Sequence, residues 1–157
     1  NMLGPMVNPA FPKNQMVGVY NLELARMYGY LYQNTDKRFT ILNALDGYDE
    51  ISLTGNTKTI SNNTEVMLTP ADFGVHKVSQ EDIVGGEDVA ESAQIFLNIL
   101  QGKGTEAQNN VICANAGVAI STVEGITPKE GFEKAKESLL SGKGLNALKK
   151  LQELSRS

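Results

Sequence analysis

One junction constrains this chain more than any other: the largely apolar run Phe39-Thr40-Ile41-Leu42-Asn43-Ala44-Leu45 ends directly on Asp46-Gly47-Tyr48-Asp49-Glu50. The run has the length and the β-branched and aromatic content of a buried strand. Gly47 accepts φ > 0 and lets the backbone turn sharply at the strand's end. Ligands of open α/β sheets bind outside the carboxyl ends of strands, so the three carboxylates of the pentad fall where a site is expected. Adjacent side chains of an extended backbone point to opposite faces. Asp49 and Glu50 can therefore meet at one centre only if the chain bends there. Carboxylates that converge repel each other unless a cation lies between them, and Mg²⁺ suits one or two carboxylates completed by phosphate oxygens and water. A polar turn of solvated acids is the competing reading, because turns select Asp and Gly for their own reasons.

The segments around the junction read as an α/β unit. Pro5, Pro9 and Pro12 restrict their own φ and that of the residues before them, which predicts an irregular start of fixed shape. Residues 14–33 are predicted helical, with Leu24, Met27, Tyr28 and Leu31 recurring at spacings of three and four. Tyr28, Tyr30 and Tyr32 read as core and rim packing in preference to a stacking platform. Gln33-Asn34-Thr35-Asp36 breaks the helix and the strand follows, an order that builds α/β layers. Thr57-Thr59-Ile60 and Glu65–Thr69 predict a hairpin around Ser61-Asn62-Asn63, and Pro70–Gly74 a short turn. His76 is the only histidine. With no serine or cysteine motif beside it, it reads as a surface residue.

The second half reads as helices. Glu87 and Asp88, after Gly85-Gly86, would repel an anion at a helix start, so they read as acids complementing the helix dipole. Val89, Ala93, Phe96, Leu97 and Leu100 predict the helix's apolar stripe, ended by Gly102 and Gly104. Thr105-Glu106-Ala107-Gln108 and Thr127-Pro128-Lys129-Glu130 fit capping boxes, the second with proline at the first helical position. Ala114, Ala116, Gly117 and Ala119 allow close backbone approach, which predicts a central helix. Phe132, Ala135 and Leu139 form the inner face of the next. Ser141-Gly142-Lys143-Gly144 lacks the glycine a P-loop needs at position 137, which is glutamate, and reads as a helix break. Leu145, Leu148, Leu151 and Leu154 predict a terminal amphipathic helix.

A chain of 157 residues buries roughly 70% of its unfolded surface, enough for one domain with a real core. The net charge of −4 offers no basic footprint for nucleic acid. The single cysteine, Cys113, excludes an internal disulfide and a multi-cysteine zinc site, and reads as a small buried hydrophobe. No run of apolar residues has the length of a membrane span. Asn62-Asn63-Thr64 matches a glycosylation sequon by chance.

Six pieces occur along the chain in a recognisable order: Leu3-Gly4-Pro5-Met6-Val7-Asn8-Pro9-Ala10, Gly18-Val19-Tyr20, Asp46-Gly47-Tyr48-Asp49-Glu50-Ile51-Ser52, Thr69–Gly74, Asn115-Ala116-Gly117 and Ser141-Gly142-Lys143. Together they resemble the C-terminal half of the anthranilate phosphoribosyltransferase family, with the first and third the specific ones. The resemblance implies an α/β catalytic domain of the nucleoside phosphorylase/phosphoribosyltransferase type, a mixed sheet flanked by helices. Residues 1–157 would be its C-terminal part. The family's N-terminal helical domain, glycine-rich phosphate loop and Lys-His-Gly-Asn segment have no counterpart in this sequence, so a fragment inactive by itself is expected. In the family the Asp-Glu pair binds the magnesium that carries phosphoribosyl pyrophosphate, a role that carries over to Asp49 and Glu50, and the Gly4-Pro5 pair borders the tunnel that admits anthranilate. No residue is assigned as a catalytic acid or base. The resemblance also implies a cytoplasmic enzyme of tryptophan biosynthesis, homodimeric as a whole, with anthranilate and phosphoribosyl pyrophosphate as partners and neither nucleic acid nor membrane. A pyrimidine nucleoside phosphorylase-like enzyme and a non-catalytic nucleic-acid-binding relative are the rival classes.

Overall fold

The apolar run becomes strand β2 (Arg38–Ala44), buried from Phe39 onward. In the computed structural model, which describes residues 3–62 and 64–156, β2 lies inside a four-stranded mixed sheet of order β1-β2-β3-β4. β1 (Asn14–Gly18) pairs with it in parallel, from Asn14↔Arg38 to Gly18↔Leu42. β3 (Thr57–Ser61) pairs with it antiparallel, and β4 (Glu65–Leu68) antiparallel with β3. Both faces of β2 are covered, which is why it reads as a continuous apolar run instead of an alternation. Phe39 and Ile41 point into one core with Val17, Ile60, Ala25, Tyr28 and Tyr32. Leu42 points into the other, with Ile51, Leu53, Leu68, Phe73 and the helices after residue 95.

The helix expected over 14–33 is two elements. Its first five residues are β1, and helix α1 is confined to Leu22–Gln33. The helical period lies in residues 24–31 alone, and at 14–18, where Val17 is buried, ladder hydrogen bonds to β2 decide the conformation. Asn21 restarts the chain as a helix: its side chain accepts a 2.8 Å hydrogen bond from the Leu24 amide, satisfying one of the unpaired donors of the first turn. The buried face of α1 is Ala25, Tyr28, Gly29 and Tyr32; of the expected series Tyr28 is buried and Leu24 packs against the same core, whereas Met27 and Leu31 are exposed. Gly29 brings α1 so close to β3 that a Cβ there would lie 3.1 Å from Ile60 Cγ2. Met27 and Leu31 instead line a small hollow with Leu3 and Met6. Tyr28, Tyr32 and Phe39 stack in series, with centroids 6.1 and 5.5 Å apart, and Tyr30 is exposed at the rim.

The hairpin expected over 57–69 is present as β3–β4; Asn63, expected from the sequence to lie in its turn, is outside the described residues. Asn62, read above only as part of a sequon, ties the hairpin to the start of β2. It accepts from the Phe39 amide at 2.9 Å and donates to the Lys37 carbonyl at 2.7 Å. A 3-10 turn follows over Pro70–Phe73, closed by Gly74 at φ 77°. His76 is exposed, as expected.

Helix α2 (Val89–Leu100) begins where expected, capped by Asp88. Of its predicted stripe only Leu100 packs against the core, beside Ile95 and Ile99. Val89 is 87% exposed, and Phe96 is also exposed. α5 (Lys143–Leu154) likewise docks only at its start: Leu145 and Leu148 are half-buried, and Leu151 and Leu154 are exposed. α2 and α5 are peripheral and touch end to end, where a Cβ on Gly144 would stand 3.4 Å from Leu100 Cδ2. Amphipathic periodicity marks a face but not how far along the helix a neighbour covers it.

α3 (Glu106–Glu124) and α4 (Pro128–Leu140) carry the second core. Each starts with the expected capping box, Thr105–Gln108 and Thr127–Glu130. The amide and hydroxyl of Thr127, both donating to the Glu130 carboxylate, hold its pKa below the usual range. α4 leaves α3 at 117°, and the two cross at a pair of glycines. A Cβ on Gly131 would lie 2.2 Å from the Gly117 carbonyl oxygen, and one on Gly117 2.6 Å from the Phe132 amide. Phe132, Ala135 and Leu139 are buried, as expected, and so is Cys113, whose thiol burial pushes its pKa up. No single helix among the described residues is long and apolar enough to cross a membrane.

Candidate metal and substrate site

Because β1 and β2 run in parallel, their carboxyl ends meet at one edge of the sheet. The Val19 amide donates to Leu42 O at 2.9 Å, and the buried Asn43 side chain donates to Val19 O at 2.7 Å. The exit of β1 is thus tied to β2 just before β2 ends. The pentad follows. The Gly47 amide donates to Ala44 O, and the Ala44 amide donates to Tyr48 O, both at 3.0 Å. Gly47 sits at φ 100°, in the positive-φ region expected of it.

The three acids separate into two roles. Asp46 turns back into its own loop: its carboxylate accepts from the Thr54 hydroxyl and, at 3.3 and 3.4 Å, from Ser52 Oγ. Gly55 leaves room for it, since a Cβ there would lie 2.9 Å from Asp46 Oδ2. Asp49 and Glu50 are exposed, and the backbone bends at both, which is the condition two adjacent carboxylates need to reach one centre. The Asp49 carbonyl packs directly on Gly18 at the end of β1: an ideal Cβ on Gly18 would fall 1.6 Å from that oxygen. Immediately downstream, Asn115 on α3 grips Ile51 at both backbone groups, accepting from its amide at 2.9 Å and donating to its carbonyl at 2.8 Å.

The described residues gather no cluster of three or more acidic, histidine or cysteine side chains that could enclose a metal. Asp49 and Glu50 are two hard oxygen donors open to solvent. That donor set fits Mg²⁺, which keeps several waters and is completed by substrate phosphates; it does not fit a closed structural site.

Gly4 and Pro5 stand apart from the acidic pair. They form a 3-10 turn over Gly4–Met6. The Pro5 carbonyl accepts from the Gln15 side chain and, at 3.2 Å, from the Tyr32 hydroxyl. Gln15 lies at the start of β1, whereas Asp49 sits against Gly18 at its end. A cavity of about 720 Å³ also lies elsewhere. It opens between the first residues of β2, the hairpin and the α3–α4 turn, lined by Thr40, Thr59, Val66, Val118 and Thr122, and contains neither Asp49 nor Glu50.

Sequence reasoning placed Gly18, Ser52 and Asn115 in the pieces that carry the resemblance but gave them no role, and it missed Thr54. Asn115 had a signal: an amide within a helix of small apolar residues must find partners when it is drawn inward. Gly18 had no local physical signal, since only the loop packed above it makes its missing Cβ matter.

The family model described as "Glycosyl transferase family, a/b domain" matches residues 1–145. The anthranilate phosphoribosyltransferase of Flavobacterium psychrophilum is 73% identical over 155 residues, covering 99% of this chain and 47% of that protein. That of Flavobacterium johnsoniae is 68% identical with the same coverage. Among solved structures, anthranilate phosphoribosyltransferase from Thermus thermophilus shares the fold, with a TM-score of 0.91 at 24% identity over 99% of this chain and 47% of that one. The Saccharomyces cerevisiae enzyme in complex with PRPP and Mg gives 0.82 at 29% identity over 94% and 43%. The chain spans about half the length of the curated relatives it matches.

Proposed function

The chain belongs to the glycosyl transferase family, a/b domain, and from that premise we propose that it supplies the metal-binding half of an anthranilate phosphoribosyltransferase active site. In the reaction the anthranilate amine attacks C1 of the ribose of phosphoribosyl pyrophosphate; the new C–N bond forms as the bond to pyrophosphate breaks. The observation that carries the reading is the bent, exposed Asp49-Glu50 pair at the carboxyl edge of the sheet, in a chain 73% identical to an enzyme of that name. Asp49 and Glu50 would hold Mg²⁺. The ion, when bound, neutralises charge on the departing pyrophosphate. The protein's own contribution is placement: the parallel strand ends and the Asp46 turn present both carboxylates to solvent, so that substrate oxygens complete the ion's shell. Gly4-Pro5 as the border of the anthranilate tunnel, a cytoplasmic location and a homodimeric whole enzyme belong to the same reading. What supports the Gly4-Pro5 part is a turn of fixed shape anchored to β1 and α1.

In the full-length enzyme, Asp49→Asn and Glu50→Gln should each lower turnover about a hundredfold, because the charge stabilisation a metal provides is worth several kcal/mol. The fold should survive, since both side chains are exposed. Near-wild-type kinetics across a magnesium titration in both variants would overturn the reading.

The same reading makes the 157-residue chain insufficient for catalysis, because holding two substrates in attack geometry contributes roughly 7–11 kcal/mol and the relatives are about twice as long. Mixing the purified chain with Mg²⁺, anthranilate and phosphoribosyl pyrophosphate should leave anthranilate fluorescence at the level of a no-protein control. Turnover above that control, in a sample free of full-length enzyme, would show that the chain is self-sufficient.

A further inference from the structure

We infer that Asn115 and the Asp46–Ser52–Thr54 network are positioning residues that set magnesium affinity without touching the ion. The inference rests on the reading of Asp49 and Glu50 as the metal pair.

The loop that carries the pair is exposed at 45–50 and buried from Ile51 to Thr54. Its course is fixed at three points. Upstream, the Asp46 carboxylate is held by the hydroxyls of Thr54 and Ser52, and the Thr54 amide donates to Ser52 Oγ at 3.2 Å. These bonds join the residue before Gly47 to the residues after Ile51, so they close the acidic segment into a loop. Beneath it, Gly18 allows the Asp49 carbonyl to rest on β1. Downstream, Asn115 holds both backbone groups of Ile51, the residue next to Glu50.

Asn115 can act as a rigid arm because α3 is itself immobilised. Its amide nitrogen makes a second bond, to Val111 O at 3.0 Å, which fixes the side chain's rotamer. Two residues on, Gly117 lies in backbone contact with α4. The path runs from the α3–α4 crossing through Asn115 to Ile51, and from there to the adjacent Glu50 and Asp49. Two exposed carboxylates on an untethered loop would have to give up backbone freedom to share an ion. The clamp removes that cost in advance, as outer groups that orient metal ligands do.

Four forms of the full-length enzyme test this: wild type, Asn115→Ala, Thr54→Val and Asp49→Asn. Thr54→Val removes a hydroxyl while keeping shape and charge. Each is titrated with Mn²⁺ at fixed pyrophosphate beside a protein-free titration, protein-bound ion being read by electron paramagnetic resonance as the loss of free-ion signal beyond that control. Thermal midpoints and the magnesium dependence of turnover are measured in parallel. Asn115→Ala and Thr54→Val should weaken metal binding about tenfold, in the range found for outer-shell partners, and high magnesium should restore most of their turnover. If both variants lower only the thermal midpoint and bind metal as wild type does, the clamp is merely structural and the inference fails. Should Asn115→Ala not fold, Thr54→Val decides alone. Unchanged metal binding in Asp49→Asn would overturn the underlying site and is distinguishable from the failure of the clamp.

Discussion

Gly18→Ala is expected to damage the acidic loop more than most substitutions made within the loop itself. The added Cβ would fall 1.6 Å from the Asp49 carbonyl oxygen and 2.7 Å from its carbon. Both are backbone atoms, so no side chain can swing aside, and the loop or the end of β1 must move to make room. Overpacking of this kind costs about 1–3 kcal/mol and sometimes more. In a chain of this length that is a fall in thermal midpoint of roughly 2–12 °C. The displaced atom belongs to Asp49, so if that residue holds magnesium as proposed, the magnesium requirement of the full-length enzyme should rise together with the loss of stability. Thermal unfolding and a magnesium titration on the same preparation check both. A variant with wild-type midpoint and wild-type magnesium dependence would mean that the Asp49 carbonyl does not rest on Gly18.

Gly131→Ala is the second large effect, and its main target is stability. The new methyl group would meet Gly117 O at 2.2 Å and Ser121 Oγ at 2.5 Å. α3 and α4 would have to separate where Phe132, Ala114 and Val118 form the centre of the larger core. A loss of about 3 kcal/mol, near the upper end for overpacking, is expected. Gly117→Ala strikes the same crossing from the other side, against Phe132 N at 2.6 Å. Once the helices have parted, the second methyl group meets less resistance, so the double variant should lose less than the two singles combined. Denaturant unfolding of the four proteins measures this coupling. Full additivity would show that the two glycines do not share a crossing. Because Asn115 rides on α3, either single variant should also weaken its hold on Ile51.

Elements whose signal is local were legible in the sequence. β2 announced itself by length and apolar content, the hairpin by β-branched runs around a turn, and α3 and α4 by their capping boxes. Legibility failed where a neighbour decides. The helix predicted over 14–33 rests on a period carried by residues 24–31, and residues 14–18 instead pair with β2, because parallel ladder bonds from a strand distant in sequence decide a segment with little local preference. The buried face of α1 passes through Ala25 and Gly29 because small residues let the helix approach Ile60, and a pattern that counts only large apolar residues favours Met27 and Leu31 instead. Val89, Phe96, Leu151 and Leu154 lie on genuine apolar stripes but are exposed in this chain.

The candidate site divides along the same line. That two carboxylates follow a buried strand and a glycine is a matter of sequence, because strand propensity and the conformational freedom of Gly47 act within a few residues. Family membership is likewise carried by motifs in order along the chain. Only the tertiary structure separated Asp46 from Asp49 and Glu50, by bringing the Ser52 and Thr54 hydroxyls onto its carboxylate. Only the tertiary structure set Gly18 beneath Asp49 and brought Asn115 across 64 residues to Ile51. Hydrogen bonds and steric contacts act over a few ångströms of space and are blind to separation along the chain, so the residues that hold the loop are invisible until the fold brings them to it.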